Sequence, residues 1–340
     1  MELKQALEQL LNRHELHDEQ MESVMQQLMS GKATDAQIGA ILTALRMKGE
    51  TLAEVTSAVR VMRSLATPVV LEDKHQLVDT CGTGGDGANT FNISTACAFV
   101  VAAAGGVVAK HGNRSISSQS GSADVLEAAG VDLTLTPEQV SECIRETGVG
   151  FMFAQAHHGA MKHVIGARKE MGVRTIFNLL GPLTNPAGAP YQVIGVYDKS
   201  LIMLFAKVLQ KLGSKHVMIV HAEDGLDEIS IASKTFVAEL KAGEICYWEI
   251  DPSDLDMDHV NLTALSVESA QDSLNIIRSV FANNDSAAKD IVCLNAGAAL
   301  YVSGLSETYP EGVTLARTVI AKGLVQKKFN EFIAKTQSFV

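Results

Sequence analysis

The chain has 340 residues, 46% of them hydrophobic and 20% charged, an ordinary globular mixture with enough length for one large domain or two moderate ones. Its formal net charge is −11 and no run of Lys and Arg offsets it. Nucleic acid is therefore not an expected partner, because binding to phosphates needs a basic surface. The cysteines lie far apart and form no Cys-x-x-Cys pair, which speaks against zinc and thioredoxin-type sites: Cys81, Cys97, Cys143, Cys246 and Cys293.

No segment has the pattern of a membrane anchor. Residues 1–20 are charged throughout and lack an apolar signal core. The uncharged stretch 87–109 reaches the length of a membrane span, but polar residues occupy its first part and Gly105-Gly106 interrupts it later. We therefore expect a cytoplasmic protein with no membrane partner.

The first seventy residues carry the pattern of short amphipathic helices. Apolar residues recur at helical spacing in two stretches: Leu3, Leu7, Leu10 and Leu11, then Met21, Val24, Met25, Leu28 and Met29. Thr34 with Gln37 and Thr51 with Glu54 form capping-box patterns at the starts of two further helices. The apolar faces need partners, which predicts a helical domain or a dimer contact.

From Gln76 onward the pattern alternates between strand, turn and helix. A strand at 77–80, a glycine-rich loop, a helix near 95–104 and a strand at 107–109 make a βαβ unit with two parallel strands. Further helices are indicated at 136–139 and from Ala287, and further strands at 192–197, 217–220 and 236–240. The prediction is an α/β fold with a parallel-dominated central sheet flanked by helices and a smaller all-helical domain. The helical domain would be 1–72, joined by roughly 170–190, and the α/β domain 73–169 and 191–340.

The glycine-rich loop Gly82-Thr83-Gly84-Gly85-Asp86-Gly87 directly follows the first strand. Glycines let backbone N–H groups approach an anion without a Cβ in the way. The spacing also fits the dinucleotide pattern G-x-G-x-x-G, which needs a helix opening at the loop and an acidic residue about 20 positions on. Here the helix starts later and Lys110 ends the second strand, so phosphate is favoured over NAD. A tight turn without a ligand is the structural alternative.

Two more polar segments belong to the same edge of the predicted sheet. Asn92-Ile93-Ser94-Thr95 comes immediately before the apolar helix, where it is either a plain cap or part of an anion site. The segment from Lys110 to Ser118 combines three potentially cationic side chains, an amide and three hydroxyls in nine positions. Ser122 then precedes an Ala-rich helix, again as a cap or a phosphate contact.

Acidic pairs follow the strand predicted at 217–220. Asp227-Glu228 lies in a glycine-containing turn, and its carboxylates are the ligands that Mg²⁺ prefers. Glu223-Asp224, four residues earlier, is a similar pair, and the residues alone barely separate the two. His157, His158 and His163 lack the i, i+4 spacing of a helical zinc site, which favours a structural or substrate-lining role.

Four motifs together resemble the anthranilate phosphoribosyltransferase family. They are Gly82-Thr-Gly-Gly-Asp86, Asn92-Ile-Ser-Thr95, Lys110-His-Gly-Asn-Arg114 and Arg174-Thr-Ile-Phe-Asn-Leu-Leu-Gly-Pro-Leu-Thr-Asn-Pro186. The match spans essentially the whole chain in order, although the first motif alone is shared with nucleoside phosphorylases. The resemblance implies a homodimeric glycosyltransferase of tryptophan biosynthesis that transfers the 5-phosphoribosyl group of PRPP to the amine of anthranilate and releases pyrophosphate.

The resemblance also implies roles for individual residues. Mg²⁺, two ions per subunit, would be held by Ser94, Asp227 and Glu228, which selects the later acidic pair. Anthranilate would contact Gly82, Asn113 and Arg168. PRPP would contact Gly82, Gly85, Asp86, Thr90, Asn92, Ile93, Ser94, Thr95, Lys110, His111, Gly112, Asn113, Arg114, Ser115, Ile116, Ser117, Ser118 and Ser122.

No residue is assigned as a general base, and the proton of the amine leaves to His111 or to water. Two other functions stay open: a nucleoside phosphorylase of related fold, and a non-catalytic relative that binds nucleic acid. The net charge and the intact pair Asp227-Glu228 speak against the second of these.

Overall fold

The computed structural model describes residues 1–115 and 120–339. The chain begins with four helices: α1 (Leu3–Leu11), α2 (Asp18–Met29), α3 (Asp35–Lys48) and α4 (Leu52–Leu65). Thr34 and Thr51 cap α3 and α4, since each hydroxyl accepts a hydrogen bond from the backbone N–H three residues on. The predicted helices and both predicted capping boxes are confirmed.

A mostly parallel sheet forms the second part of the molecule. Its strands are β1 (Leu77–Gly82), β2 (Val107–Gly112), β3 (Val149–Phe153), β4 (Tyr191–Gly195), β5 (His216–Ala222), β6 (Thr235–Lys241) and β7 (Glu244–Ile250). They lie in the order β3-β2-β1-β4-β5-β6-β7, in which the first five are parallel, β6 is antiparallel to β5, and β7 is antiparallel to β6. The carboxyl ends of the parallel strands therefore meet at one edge, and the predicted fold class is confirmed.

Helices cover both faces of this sheet. They are α5 (Ile93–Ala103), α6 (Ser122–Ala128), α7 (Pro137–Thr147), α8 (Ala154–His157), α9 (Ile165–Met171), α10 (Phe177–Leu180), α11 (Leu201–Lys211), α12 (Ala270–Phe281), α13 (Ala287–Val302), α14 (Tyr309–Ala321) and α15 (Leu324–Gln337). One core lies beneath α5, α13 and α15, where the ring of Phe99 packs edge-on against Phe281 and Phe329. A second core joins α11 and the opposite face of the sheet to the N-terminal helices.

The apolar stripes of the first helices are used inside the subunit. Leu3 and Leu10 are buried in the second core, Leu7 packs against it, and the apolar residues of α2 are buried there as well. Only Leu11 of the first stripe is open to solvent, with 69% of its surface exposed. Of the two uses that the sequence left open for this stripe, a helical domain and a dimer contact, Leu3, Leu7 and Leu10 serve the first, because they stabilise their own helical layer.

The chain returns to the helical layer after β3. Helices α9 and α10 pack against α3 and α4 respectively, so residues from two distant parts of the chain build one layer. The domain limits at 72, 170 and 190 stay a prediction.

Several local boundaries differ from the sequence-based prediction. Helix α5 begins at Ile93, so Ser94 and Thr95 lie in its first turn and not before it. Strand β2 continues to Gly112, which places Lys110 within the strand. Strands β3 and β7 were not predicted, and β7 is a sheet edge whose residues are mostly exposed. None of the described helices has the length and apolar character needed to cross a bilayer.

Candidate active site

The glycine-rich loop leaves β1 at the carboxyl edge of the sheet and is fastened to the end of β4. The N–H of Thr83 donates to the Gly195 carbonyl (2.9 Å), and the N–H of Tyr197 donates to Thr83 Oγ1 (3.0 Å). Gly84 and Gly85 have φ angles of +64° and +79°, which L-residues with a Cβ rarely adopt. The glycines of this loop are thus required by its backbone conformation.

The acidic turn after β5 reaches the same loop. Asp227 Oδ2 accepts a hydrogen bond from the N–H of Gly84 (2.9 Å), and the N–H of Asp227 donates to Asp86 Oδ2 (3.5 Å). Burial and the neighbouring charge of Asp86 raise the pKa of Asp227 to about 7. Burial and the charge of Asp227 likewise raise the pKa of Glu228 well above its usual range. Carboxylates so close together favour a cation between them.

Two glycines make room for this turn. A Cβ on Gly195 would overlap the carbonyl of Asp227, and a Cβ on Gly82 would lie 2.9 Å from Asp227 Oδ2. The strand ends and the acidic turn are therefore in direct backbone contact. This contact fixes the position of the Asp227 carboxylate relative to the loop.

The earlier acidic pair behaves differently. The carboxylate of Asp224 accepts hydrogen bonds from the N–H of Leu226 (3.1 Å) and the hydroxyl of Ser230 (2.6 Å), so it stabilises its own turn. Glu223 is exposed. The geometry brings Asp227-Glu228, and not Asp224, to the glycine-rich loop.

Lys110 is buried beneath the site. Its ammonium donates to the Thr80 carbonyl and to Ser94 Oγ (3.1 Å). Its positive charge lowers the pKa values of Asp79 and Glu228, partly offsetting the effect of their burial. In this structure Lys110 balances internal carboxylates and does not extend into solvent as a free cation.

The start of α5 supplies a second polar surface at this edge. Asn92 is held in place by hydrogen bonds from the hydroxyls of Ser120 (2.9 Å) and Ser273 (2.8 Å). Thr95 Oγ1 is buried and has no hydrogen-bond partner among the described residues. Thr90 forms an isolated bridge with Ser266. The free N–H groups of the first turn of α5, together with its dipole, favour an anion there.

The segment after β2 is partly committed to internal contacts. Arg114 forms ion pairs with Asp124 (3.0 Å) and Glu127 (2.7 Å), so its guanidinium is engaged by acids. The carbonyl of Asn113 accepts a hydrogen bond from Ser122 Oγ (3.3 Å), which brings these two predicted contacts together.

Gly112 and Ser115 lie in the same region. Gly112 is packed so closely against Ser122 and Phe151 that a side chain would not fit, and the N–H of Ser115 donates to Asp124 Oδ2 (3.0 Å). Ile116, Ser117 and Ser118 lie outside the described residues.

Two histidines face each other near the end of β2. The rings of His111 and His158 are 5.1 Å apart, and Nε2 of each is buried with no partner among the described residues. Burial lowers the pKa of His111 to about 3 and that of His158 to about 4, and repulsion from the neighbouring histidines contributes to both shifts. Both imidazoles are therefore uncharged at neutral pH.

The histidine cluster does not form a metal site. His157 Nδ1 lies 2.8 Å from the Thr67 carbonyl, which gives that ring a structural contact. Within residues 1–115 and 120–339, no three His, Cys, Asp or Glu side chains are grouped as a ready-made metal site. Zinc chemistry finds no support in this arrangement.

Arg168 lies on α9, in the helical layer. Its guanidinium lies 5.2 Å from the centroid of the Phe177 ring, and burial lowers its pKa. No carboxylate or hydrogen-bond acceptor among the described residues contacts it. The structure gives no contact between Arg168 and either Asn113 or Gly82. A half-buried cation without a partner differs from the solvated helix arginine that its neighbours Lys169 and Glu170 suggest.

Comparison with known proteins follows the same division of the chain. Residues 4–66 match the helical bundle domain of a glycosyl transferase family, and residues 74–326 match its α/β domain. A Hydrogenovibrio crunogenus protein named anthranilate phosphoribosyltransferase is 70% identical over 339 residues, covering 100% of both chains. The chain belongs to the anthranilate phosphoribosyltransferase family.

Solved structures of anthranilate phosphoribosyltransferases share this fold. The Thermus thermophilus structure has a TM-score of 0.92 at 39% identity and covers 98% of this chain and 99% of its own. The Saccharomyces cerevisiae enzyme, in complex with PRPP and Mg, has a TM-score of 0.89 at 25% identity and covers 99% of this chain and 98% of its own. The resemblance inferred from the four motifs is thereby confirmed.

The side chains around the acidic turn are of the kind that Mg²⁺ prefers, although within the described residues they form no ready-made cluster of three acids. Asp86, Asp227 and Glu228 offer carboxylate oxygens, and Ser94 adds a hydroxyl beside them. Mg²⁺ retains several waters and takes phosphate oxygens from substrates, so two or three protein ligands suffice. Asp227 and Glu228, whose pKa values are raised by burial and by neighbouring acidic charges, would gain most from such an ion.

One residue of the family motif was given no role by sequence reasoning. Arg174 donates a hydrogen bond from Nη2 to the Gly85 carbonyl, and its guanidinium carbon lies 3.8 Å from the centroid of the Tyr197 ring. Its place at the head of the fourth motif was the only signal available. Nothing local to residues 172–176 indicates a contact with a loop 89 positions earlier.

Proposed function

We propose that this protein transfers the 5-phosphoribosyl group of PRPP to the amine of anthranilate and releases pyrophosphate, a step of tryptophan biosynthesis. The observation that carries the proposal is the meeting of three features at one sheet edge: the glycine-rich loop, the acidic turn at Asp227 and the start of α5. Its relatives support it, since the Hydrogenovibrio crunogenus protein bears this name and the yeast enzyme was solved with PRPP and Mg.

The donor half of the site would be built mostly from backbone. The loop N–H groups and the first turn of α5 present donors to phosphate oxygens without needing side-chain cations. Ser94, Asp227 and Glu228 would hold Mg²⁺, with Asp86 close by. Magnesium, when bound, offsets the negative charge that gathers on the departing pyrophosphate. The remaining proposed PRPP contacts are Thr90, the segment from Lys110 to Ser118, and Ser122.

The acceptor half needs a cation for the carboxylate of anthranilate. Arg168 is proposed for this role because its guanidinium is half-buried and lacks a partner among the described residues. Asn113 and Gly82 complete the proposed acceptor set. The uncharged imidazole of His111 has a pKa of about 3, which makes it a poor proton acceptor. We therefore propose that the proton of the amine leaves to water.

The assembly of the protein is part of the same proposal. We propose a helical domain of residues 1–72 joined by roughly 170–190, an α/β domain of 73–169 and 191–340, two Mg²⁺ per subunit, and a cytoplasmic homodimer. Exposed apolar side chains on the helical layer support a dimer contact there, since Leu11 is 69% and Met47 72% exposed. Light scattering of the purified protein tests the dimer, and calorimetric titration with MgCl₂ and PRPP tests the metal count.

A direct assay tests the proposed reaction. Protein, PRPP, MgCl₂ and anthranilate are mixed, and the fluorescence of anthranilate is followed as it is consumed. We expect the signal to fall only when all four components are present. A parallel reaction with nucleosides and inorganic phosphate tests the phosphorylase alternative. Phosphorolysis in that reaction, with anthranilate unchanged in the first, would refute the proposed function.

A further inference from the structure

The glycine-rich loop depends on contacts from outside itself. Gly84, Gly85 and Gly87 all have positive φ angles, and glycine loses more backbone freedom on ordering than any other residue. The N–H of Thr83 donates a hydrogen bond to the Gly195 carbonyl in β4, and the N–H of Gly84 donates one to Asp227 Oδ2. Beyond Gly84, Asp86 accepts a 3.5 Å hydrogen bond from the N–H of Asp227, and the backbone at Gly85 needs a further contact to hold one conformation.

Arg174 supplies that contact from the helical layer. Its Nη2 donates to the carbonyl of Gly85, and its guanidinium carbon lies over the Tyr197 ring, 3.8 Å from the centroid. A Cβ on Gly85 would lie 3.0 Å from Nη2, and the φ angle of +79° also disfavours a side chain there. Hydrogen bonding and ring stacking together restrain the arginine in this position.

The same arginine is itself tied to α3. Arg46 Nη1 donates to the backbone carbonyl of Arg174. A continuous set of contacts thus runs from α3 through residue 174 to Gly85. Tyr197, whose N–H donates to Thr83 Oγ1, connects the ring under Arg174 to the base of the same loop.

We infer that Arg174 is a positioning residue for the donor substrate. It holds the Gly85 carbonyl so that the loop keeps its N–H groups aligned for phosphate oxygens, and it links this alignment to the helical layer. The inference rests on the proposed function, because it takes the loop to be the PRPP-binding element. It assigns Arg174 no contact with the reacting atoms.

The test combines hydrogen exchange with calorimetry. In Arg174→Ala, we expect the backbone amides of residues 83–88 to exchange roughly five- to thirty-fold faster in the substrate-free protein. The affinity for PRPP with MgCl₂, measured without anthranilate, should fall by a similar factor. The KM for anthranilate should change less than about two-fold, and the melting temperature should hold because the side chain is exposed.

Matched variants separate positioning from other roles. Tyr197→Leu keeps Arg174 but removes the aromatic ring beneath it, so amide exchange in the loop should speed up less than in Arg174→Ala. Tyr197→Phe keeps the ring and should match the wild type. Lys169→Ala removes an exposed cation of the same layer and should change neither readout. A weaker PRPP affinity with unchanged loop exchange would make Arg174 a direct ligand and overturn the inference. Unchanged values for both would also overturn it.

The proposed function and the positioning role of Arg174 can be refuted separately. If the wild type binds no PRPP at all, the proposed function is wrong, whatever the exchange data show. If the wild type binds PRPP and turns over anthranilate but Arg174→Ala behaves identically, only the positioning role is wrong.

Discussion

A guanidinium that is withdrawn from water normally has an acid or an acceptor beside it, because burying an unpaired charge is costly. Arg168 has only the face of Phe177 among the described residues. If its partner is the carboxylate of anthranilate, Arg168→Ala should raise the KM for anthranilate about ten- to hundred-fold, or about 1.5–3 kcal/mol. Steady-state kinetics with each substrate varied in turn measure this effect.

The KM for PRPP should stay nearly unchanged in Arg168→Ala. Lys169→Ala is the matched control, since it removes the neighbouring exposed cation of the same helix. Normal anthranilate kinetics in Arg168→Ala would contradict the assignment even if PRPP proves to be the donor.

The acidic turn allows a second residue-level prediction. Asp227→Asn removes an anionic ligand but keeps an oxygen that can accept from the N–H of Gly84. Turnover should therefore fall steeply, and higher MgCl₂ should restore part of it. Glu223→Gln changes the charge of an exposed residue nearby and serves as the control. Full activity of Asp227→Asn at low MgCl₂ would move the metal site elsewhere.

The buried imidazole of His111 predicts how stability depends on pH. Burial lowers the pKa of His111 to about 3 in the folded protein, below the ordinary histidine value of 6.5, so the unfolded chain binds the proton more readily. The contribution of the neutral His111 ring to the free energy of unfolding is complete above about pH 6.5. It is lost as the pH falls towards the pKa of His111 in the folded protein. His111→Asn should remove part of this loss, at most about 2 kcal/mol between pH 6.5 and pH 5.

Melting temperatures of wild type and His111→Asn at pH 7.5 and pH 5.0 provide the measurement. We expect the drop between the two conditions to be smaller in the variant. Equal drops would mean that His111 titrates normally in the folded protein.

At the level of single residues, the sequence indicated contacts that are local and missed those that are not. The glycine-rich loop follows β1 directly, Ser94 lies in the first turn of the helix after that loop, and Asp227-Glu228 lies in the turn after β5, so the parallel order of the strands predicts their meeting. The hydrogen bond from Gly84 to Asp227 joins residues 143 positions apart, and the one from Arg174 to Gly85 joins residues 89 positions apart. Only the folded chain reveals such pairs. The acidic partners of Arg114, Asp124 and Glu127, belong to the next helix and were not predicted either.

Among the structural elements, the junction of β4 with the acidic turn is the most constrained. A Cβ at Gly195 has no space, because it would overlap the carbonyl of Asp227. Gly195→Ala should push the turn away from the strand and displace both Asp227 and Glu228 without changing any ligand. We expect a loss of activity that higher MgCl₂ only partly restores, together with weaker Mg²⁺-dependent binding of PRPP.

Calorimetry of PRPP binding at two MgCl₂ concentrations measures the effect of Gly195→Ala. Gly213→Ala is a control for glycine replacement in general, although its positive φ angle makes some loss of stability expected there. Wild-type affinity in Gly195→Ala would show that the turn adjusts without cost to the site.

Elements were predictable where chemistry at their ends was distinctive. The capping boxes of α3 and α4, and the Thr136 cap of α7, mark helix starts that the structure reproduces. Strand β3 is a short apolar run that sequence periodicity cannot separate from a buried helix segment. The stripe on α1 left its partner open, because periodicity shows that a face is buried but not what buries it.

At the scale of the whole molecule, the chain passes between its two layers more than once. The N-terminal helices, then α9 and α10, form one layer, and the sheet with α5, α13 and α15 forms the other. The proposed donor residues lie on the sheet and Arg168 lies on the helical layer. Two substrates held by different layers would be brought together by a small closing movement between them.

The sheet ends on one side in the mostly exposed strand β7, which makes aggregation through this edge a concern in concentrated solution. Among the described strands β7 pairs only with β6, and it carries Ile245, Cys246, Tyr247 and Trp248 between two exposed glutamates. Unpaired strand edges with apolar residues recruit other chains, and charges at their ends oppose this.

The double variant Glu244→Gln with Glu249→Gln should therefore keep the melting temperature but aggregate faster when concentrated samples are warmed. Light scattering measures this aggregation. Glu8→Gln with Glu19→Gln removes the same charge from exposed helix positions and should remain dispersed. Equal turbidity in both would mean that net charge, and not the two glutamates of β7, keeps this protein in solution.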